Sequence, residues 1–326
     1  MTTALIPTLT AKARAAAHPT ATPTPTPEAK TPCTCPTPVL AHRTDASVLR
    51  HGPIVVKAHA PDSHPADLTA RLAAATHPPL ADTLLRPLRP TPTELHGRLV
   101  TFWPYGTPVD RDTPEAAPWE AAATLLAQLH ALPPSDLPHP LPPMRGPAKA
   151  AHAVTRLHAA GPHPAAPPVL RAWAALPPWA RAEAPAPGPH LVCHGDFHLG
   201  QLVRTPEDHW LLIDVDDLGT GTPAWDLARP AAWYACGLLA PDEWTRFLDA
   251  YRGSRGAALP ADGSDPWPVL DVPARALTVQ TAALAIAKAV AADRPLDEIE
   301  QALVDACDRM ARVTTLPEEL APEATK

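Results

Sequence analysis

Three polar side chains follow two apolar runs near the middle of the chain, and their types and order could do chemistry. The first run leads into the turn sequence His194-Gly-Asp-Phe-His-Leu-Gly-Gln201, and the second leads into Asp214. Asp196 is placed as a base, Gln201 as an amide metal ligand and Asp214 as a carboxylate metal ligand. This order is typical of phosphoryl transfer, in which catalysis consists mostly of positioning and charge neutralisation around a metal-bound nucleotide.

The motifs around these residues resemble the signature of the aminoglycoside phosphotransferase family, small-molecule kinases with a protein-kinase-like fold. That signature reads His-Gly-Asp-x-His-x-x-Asn, then an apolar residue and Ile-Asp, a glycine turn and Asp-Leu-Ala. The matching segments here are His194–Gln201, Ile213-Asp214, Gly219-Thr-Gly221 and Asp226-Leu-Ala228. The first motif resembles that of maltokinase-type and related phosphotransferases more than that of antibiotic-resistance enzymes. Two motifs at the right separation are far more specific than one.

The resemblance implies a role for each of the three residues. Asp196 would orient the substrate hydroxyl and accept its proton, and Asp214 would bind Mg²⁺ bridging the phosphates of ATP. Gln201 stands where the family usually has Asn. Gln is one methylene longer but still offers a carbonyl oxygen, a ligand type that suits Mg²⁺. ATP and Mg²⁺ are therefore the expected cofactors.

Residues next to the three carry weaker expectations. Asp216 shares a strand face with Asp214 if the strand continues, so it either assists the metal or faces water. His194 and His198 are interpreted as loop-packing residues, because an aspartate already suits the role of general base that His198 could otherwise take. Asp226 is expected to begin a helix and brace the catalytic loop.

Lys57 is the candidate for binding the nucleotide. It ends the third of three predicted strands, at 38–42, 47–50 and 54–57, and a kinase-like N-lobe places a phosphate-binding lysine there. The alternative is a lysine that protects an edge strand from aggregation. The next predicted helix, residues 64–76, contains no glutamate, so the acidic partner of Lys57 stays open.

The resemblance implies an α+β, two-lobed protein-kinase-like fold with a small β-rich N-lobe and a larger, mainly helical C-lobe, and the predicted elements agree with it. The expected divisions are a disordered Pro/Thr-rich tail at 1–36, an N-lobe at 37–105, a C-lobe at 106–316 and a C-terminal tail at 317–326. A tract such as Thr22–Pro27 buries too little apolar surface to fold. Helices are predicted near 119–132, 148–160, 167–183, 226–239, 241–253, 271–292 and 295–314.

Composition limits the possible partners. A net charge of −7 and a pI near 6.1 argue against a nucleic-acid-binding protein, which usually carries a basic patch. No signal peptide is recognised, and the long apolar helix after residue 271 is expected to pack in a core rather than in a membrane. We therefore expect a cytoplasmic protein whose partner is a small hydroxylated acceptor. Its oligomeric state is not indicated.

The five cysteines do not predict a metal site. Cys33 and Cys35 are separated by one residue, whereas zinc sites typically use a longer spacer and a second ligand pair. Cys193, just before the His-Gly-Asp turn, is interpreted as a small buried packing residue.

The preferred function is transfer of the γ-phosphoryl group of ATP to a hydroxyl of a sugar, an aminoglycoside or an amino alcohol. A catalytically silent nucleotide-binding protein is the alternative, favoured by Gln201 and by the missing helix glutamate. A metal-dependent hydrolase using Asp214, Asp216 and histidines is a third possibility, but the 16 histidines are spread along the chain.

Overall fold

The structure, a computed structural model of the 326-residue chain, describes residues 5–18, 33–43 and 45–313. The chain divides into two compact units that interleave along the sequence. The first comprises Met1–Pro118, Leu132–Pro142 and Leu199–Leu218, and the second comprises Trp119–Ala131, Pro143–His198 and Gly219–Lys326. The Pro/Thr tract at 22–27 and the predicted tail at 317–326 lie outside the described residues.

A five-stranded antiparallel sheet forms the first unit, with strand order β1-β2-β3-β5-β4. Its strands are β1 (Val39–His42), β2 (Ser47–His51), β3 (Ile54–Ala58), β4 (Thr93–Leu95) and β5 (Arg98–Pro104). Helix α2 (Pro65–Ala75) follows β3. The structure confirms the three predicted strands. Short β-branched runs separated by turn residues favour such hairpins.

One helix occupies part of the N-terminal segment for which no fixed structure was expected. Helix α1 (Leu5–Ala17) packs Leu5, Leu9 and Ala13 against the buried residues of β2, β3 and β5. These three positions recur every four residues and form one apolar face. The expectation of disorder therefore does not hold for residues 5–17, since the sheet supplies the apolar partner that the segment lacks by itself.

A smaller sheet brings a late part of the chain into the first unit. It pairs β6 (Thr107–Pro108) with β8 (Leu202–Arg204), and β8 with β9 (Trp210–Leu212). Leu212 is also hydrogen bonded to the backbone of Thr83 and Leu85. The expected division placed one continuous segment in each lobe, with the boundary after residue 105. In the structure, residues 199–218 belong to the same unit as the five-stranded sheet.

The second unit is mainly helical. Its helices are α3 (Trp119–Ala131), α4 (Gly146–Ala159), α5 (Ala166–Ala174), α6 (Ala224–Ala235), α7 (Pro241–Gly253), α8 (Trp267–Ala291) and α9 (Glu298–Val313). Strand β7 (Leu191–Cys193) pairs with β10 (Gly219–Gly221). A β-rich unit and a larger helical unit confirm the expected fold class.

Helix α8 is the central helix of the second unit. By length and composition it could cross a membrane, with a mean hydropathy of 1.3 over its most apolar window, but 67% of that window is buried inside the protein. Val279, Ala282, Ala283 and Ile286 pack against apolar residues of α4, α5 and α9. Core packing accounts for its apolar composition, as expected from the sequence.

Candidate active site

In the first unit, Lys57 meets two carboxylates from far along the chain. Its Nζ lies 2.6 Å from Oδ1 of Asp214 and 2.9 Å from Oδ2 of Asp216. Lys57 is buried in the central strand β3, where it faces Thr101 of β5 across the ladder. The edge-strand interpretation of Lys57 is therefore wrong, because β3 has a neighbour on both sides.

Asp216 is held by a buried polar network as well as by Lys57. Nδ1 of His59 lies 2.8 Å from Oδ1 of Asp216, and Nε2 of His59 lies 2.8 Å from the hydroxyl of Thr101. The indole N–H of Trp103 donates to the same hydroxyl at 2.8 Å. Asp216 therefore does not simply face water. It is the second acidic partner of Lys57, which the sequence left open.

The close charges shift the pKa values of both partners. Burial alone would lower the pKa of Lys57, but Asp214 and Asp216 outweigh it and raise this pKa above its ordinary value. Burial would raise the pKa of Asp216, but Lys57 and His59 hold it well below its usual range. The lysine is therefore cationic and Asp216 anionic at neutral pH.

Asp214 adopts an uncommon backbone conformation at the start of a short turn. Its φ of 67° and ψ of 77° lie in the left-handed region, and its carboxylate accepts a hydrogen bond from the backbone N–H of Asp216.

Arg71 of α2 donates from Nε to the carbonyl of Leu218 at 2.9 Å. The helix without a glutamate thus contributes an arginine that holds the end of the carboxylate segment.

Gln201 lies beside Asp214, with its Nε2 3.4 Å from Oδ2 of the carboxylate. The terminal torsion of a glutamine side chain is roughly two-fold, so rotation of the amide places its oxygen where the nitrogen now lies. Two carboxylates and an amide oxygen are ligands that Mg²⁺ prefers. The Lys57 ammonium already lies between both carboxylates, so the donor set suits a cation. Asp214, Gln201 and Asp216 are the residues that could hold Mg²⁺.

Asp196 lies in the second unit and is held by two cations. Nζ of Lys149 is 2.7 Å from its Oδ2, and Arg229 donates to its Oδ1 at 3.1 Å. Burial alone would raise the pKa of Asp196, but Lys149, Arg229 and the nearby His198 lower it below its usual value. A carboxylate with a low pKa is a weak base, so it is better suited to orienting a hydroxyl than to removing its proton early.

The His-Gly-Asp turn is fixed by Asp226 in the first turn of α6. The buried Asp226 carboxylate accepts the backbone N–H groups of His194 at 2.6 Å and Gly195 at 2.8 Å. It also accepts from Nε2 of His130, whose Nδ1 lies 2.7 Å from the hydroxyl of Tyr251. Asp226 braces the catalytic loop as expected.

The two loop histidines differ in their surroundings. His194 is buried, and its ring lies edge-on to Phe197 at 6.4 Å, which agrees with a packing role. His198 is partly exposed and close enough to Asp196 to lower its pKa.

A small cleft opens beside Asp196. It is lined by residues of the second unit that include Lys149, Arg229, Trp225 and Gln280. The indole of Trp225 packs on the backbone at Gly146, where an added Cβ would lie 2.2 Å from its Nε1. The glycine therefore allows the aromatic side chain to form one side of the cleft.

A lysine on a central strand paired with an Ile-Asp carboxylate, together with a braced His-Gly-Asp turn, defines a phosphotransferase with a kinase-like fold. The chain belongs to the phosphotransferase enzyme family, whose model matches residues 41–263. Proteins of this class transfer a phosphoryl group to a hydroxyl group of a small molecule, and the resemblance seen in the sequence is confirmed. A search of curated protein sequences found no match.

Solved structures share the fold at low sequence identity. A choline/ethanolamine kinase family protein from Mesorhizobium loti is 17% identical, with a TM-score of 0.55, over 88% of this chain and 90% of its own. A thermostable mutant of aminoglycoside phosphotransferase APH(4)-Ia is 14% identical, with a TM-score of 0.58, over 86% and 96%. Spectinomycin phosphotransferase APH(9)-Ia, in complex with ADP and spectinomycin, is 13% identical, with a TM-score of 0.55, over 85% and 92%.

Four side chains near the predicted residues were not singled out from the sequence, namely His59, Arg71, Lys149 and Arg229. Two of them had a local signal. His59 is two residues after Lys57 and so shares its strand face, and Arg229 is three residues after Asp226 on one face of α6. Arg71 and Lys149 reach residues 147 and 47 positions away, which no local pattern indicates.

Proposed function

We propose that this phosphotransferase moves the γ-phosphoryl group of ATP to the acceptor and uses Mg²⁺. The contact of Lys57 with Asp214 and Asp216 is the observation that carries this proposal. It joins a strand lysine and an Ile-Asp carboxylate, the side chains that a kinase site uses for phosphates and metal. Nucleotides in complex with related folds, such as the ADP bound to spectinomycin phosphotransferase, support it.

Each residue then has a role in its own cluster. Lys57 binds phosphate oxygens. His59 holds Asp216 in place, and Asp216 in turn restricts the position of the Lys57 ammonium. Asp214 and Gln201 hold Mg²⁺, which when bound neutralises the charge of the phosphates. Asp196 orients the attacking hydroxyl, and Lys149 and Arg229 keep it anionic.

The other functions considered from the sequence are less well supported. A silent nucleotide-binding protein has no need for Asp196 with its two cationic partners. A hydrolase site at Asp214 and Asp216 is less well supported because family membership favours transfer to a hydroxyl.

Calorimetry of ATP binding, with and without Mg²⁺, tests the nucleotide and the metal together. Wild-type chain should bind ATP more tightly with Mg²⁺, and Asp214→Asn should lose that difference while keeping the weaker, metal-free binding. Asp208→Asn, on an exposed turn in the same unit, is the matched control. Binding that is equally tight without Mg²⁺ in the wild type would contradict the metal assignment.

The cleft at Asp196 favours a small, neutral or acidic acceptor. Its charged lining residues are two cations, Lys149 and Arg229, against the single anion Asp196. A cationic acceptor would meet like charge there, whereas Trp225 and Gln280 offer an aromatic face and an amide.

ADP release measured with a panel of acceptors tests this preference. Glucose and glucuronate should stimulate release more than kanamycin or choline at equal concentration. A faster reaction with kanamycin or choline would show that the two cations do not set the preference. The cytoplasmic location expected from the sequence remains a prediction, which cell fractionation can check.

A further inference from the structure

Two cysteines and two histidines converge at one edge of the first unit, and none of them is a candidate active-site residue. His18 follows α1, Cys33 and Cys35 lie before β1, and His51 ends β2. Their ligand atoms all lie within 4.8 Å of one another. Sγ of Cys33 is 2.9 Å from Nε2 of His18 and 3.4 Å from Nε2 of His51, and Sγ of Cys35 is 3.6 Å from Nε2 of His18.

These separations resemble those in a tetrahedral metal site. Zinc–sulfur bonds of about 2.3 Å and zinc–nitrogen bonds of about 2.0–2.1 Å place ligand sulfur and nitrogen atoms roughly 3.6 Å apart at the tetrahedral angle. All four ligand atoms are of types that bind zinc in Cys₂His₂ sites. One cation at their centre would satisfy all four at once.

A hydrogen bond fixes the ring of His51 in the state that a ligand needs. The hydroxyl of Thr37 lies 2.7 Å from Nδ1 of His51 and donates its own hydrogen to the carbonyl of Cys35. The hydroxyl must therefore accept a hydrogen from Nδ1, which leaves the lone pair of Nε2 facing Cys33. Metal-binding histidines commonly use their second nitrogen in this way.

The surroundings also favour a thiolate at Cys33. The backbone N–H of Cys35 donates to Sγ of Cys33 at 3.3 Å. A hydrogen bond from a backbone N–H stabilises negative charge on the sulfur. A deprotonated thiol and a neutral imidazole are the forms in which cysteine and histidine bind metal.

The fold delivers the four ligands from separate elements. Backbone hydrogen bonds from Arg50 to Pro38 and from Gly52 to Pro36 lay the cysteine segment along the β2–β3 hairpin. Gly52 turns the hairpin at a φ of 55°, and an added Cβ there would lie 3.4 Å from Sγ of Cys35. On the other side, the apolar face of α1 docks on the sheet and places His18 at the cluster.

We propose that His18, Cys33, Cys35 and His51 form a structural Zn²⁺ site that fastens α1 and the segment before β1 to the β2–β3 hairpin. Two thiolates and two neutral imidazoles select zinc among the common divalent metals. All four positions are taken by protein ligands, so the site is closed to substrate. It stabilises the sheet that carries Lys57 and takes no part in phosphoryl transfer.

Metal content of the full-length chain tests this site. Chain purified without chelator should contain one zinc per molecule by mass spectrometry of metals, and the double variant Cys33→Ser/Cys35→Ser should contain almost none. Cys236→Ser, which removes a partly buried thiol elsewhere, is the matched control and should keep its zinc. Zinc retained in the double variant, or none in wild type after reconstitution with ZnCl₂, would overturn the proposal.

Thr37→Val provides a second test that does not remove a ligand. Loss of the hydrogen bond to His51 should weaken zinc binding by about 10- to 100-fold in a competition with a chromophoric chelator. Replacement of zinc by Co²⁺ should give the visible absorption of a tetrahedral thiolate site. An unchanged zinc affinity in Thr37→Val, or a Cys33–Cys35 disulfide in place of bound metal, would count against the site.

Discussion

At Asp196, the surrounding charges decide which part of the reaction the carboxylate can perform. Lys149 and Arg229 lie within 3.1 Å of its two oxygens, so a negative charge is stabilised there. A weakly basic carboxylate accepts the proton only as the hydroxyl acquires acidity in the transition state. We therefore propose that Asp196 contributes mainly by positioning the hydroxyl.

Replacement of Asp196 by Asn should therefore abolish turnover and spare nucleotide binding. We expect kcat to fall by roughly 10²–10⁴-fold, the contribution of a positioned acid–base group, with little change in the affinity for ATP. Steady-state ADP release and ATP calorimetry measure both. His198→Gln is the control and should keep most of the turnover; the reverse ranking would make His198 the base.

Replacement of Lys57 is expected to weaken nucleotide binding. Lys57→Met should weaken ATP binding by about 10- to 100-fold, because a charge-assisted hydrogen bond contributes about 1.5–3 kcal/mol. Lys288→Met, at an exposed position on α8, is the matched control and should leave the affinity unchanged. Equal affinities for Lys57→Met and wild type would show that the lysine serves only to neutralise its two aspartates.

At the scale of elements, helix ends show how short motifs become structure. Asp297 precedes α9 and accepts the backbone N–H of Glu300 at 2.8 Å, while Glu300 accepts the backbone N–H of Asp297 at 3.0 Å. This is a capping box, in which each side chain satisfies the other residue's backbone donor. Hydrogen bonds from Arg294 hold the pKa of Glu300 at about 2.

The capping box predicts a pH-dependent contribution to stability. A carboxyl whose folded pKa is depressed stabilises the fold above its unfolded pKa of about 4.3, and this contribution disappears as the pH falls towards 2. Glu300→Gln should cost about 0.5–1 kcal/mol at pH 7, since water screens a pair near the surface. Urea unfolding at a series of pH values should show the difference from wild type shrinking between pH 4.5 and 2, whereas a constant difference would contradict the assignment.

At the scale of the whole molecule, each unit is built from distant parts of the chain. The first unit includes residues 199–218, which follow helices α3, α4 and α5 of the second unit in the sequence, and this segment brings Asp214 to Lys57. In the second unit, α8 packs against α4, α5, α6 and α9. Its apolar residues therefore serve a core that several segments share.

A buried charge on α8 should disrupt this core. Ala283 is fully buried, so Ala283→Asp should destabilise the chain by about 3–5 kcal/mol, the usual cost of an unpaired buried charge. Val290→Asp, near the exposed end of the same helix, should cost under about 1 kcal/mol. Thermal unfolding of both variants without detergent measures the contrast, and equal effects would contradict the core assignment of α8.

The local elements and the principal candidate site residues could be predicted from the sequence alone. Hairpin strands, helix faces and the His-Gly-Asp and Ile-Asp motifs depend on neighbours within a few residues, so a linear reading identified Lys57, Asp196, Gln201 and Asp214 as candidates. Their roles remain predictions that the variants above can test. The α1 docking was missed because an apolar stripe of three residues gains its stability only from the sheet beneath it.

Which distant groups come into contact depends on the tertiary fold. Asp214 reaches Lys57 across 157 positions, and Asp216 takes the place of the glutamate that α2 lacks. His51 and Cys33 come together in the same way, although each looks unremarkable in its own segment. A buried charge is stable only if groups nearby in space pair with it and so compensate for its loss of water. Such pairing joins residues that are distant in the sequence, so it leaves no periodic pattern there.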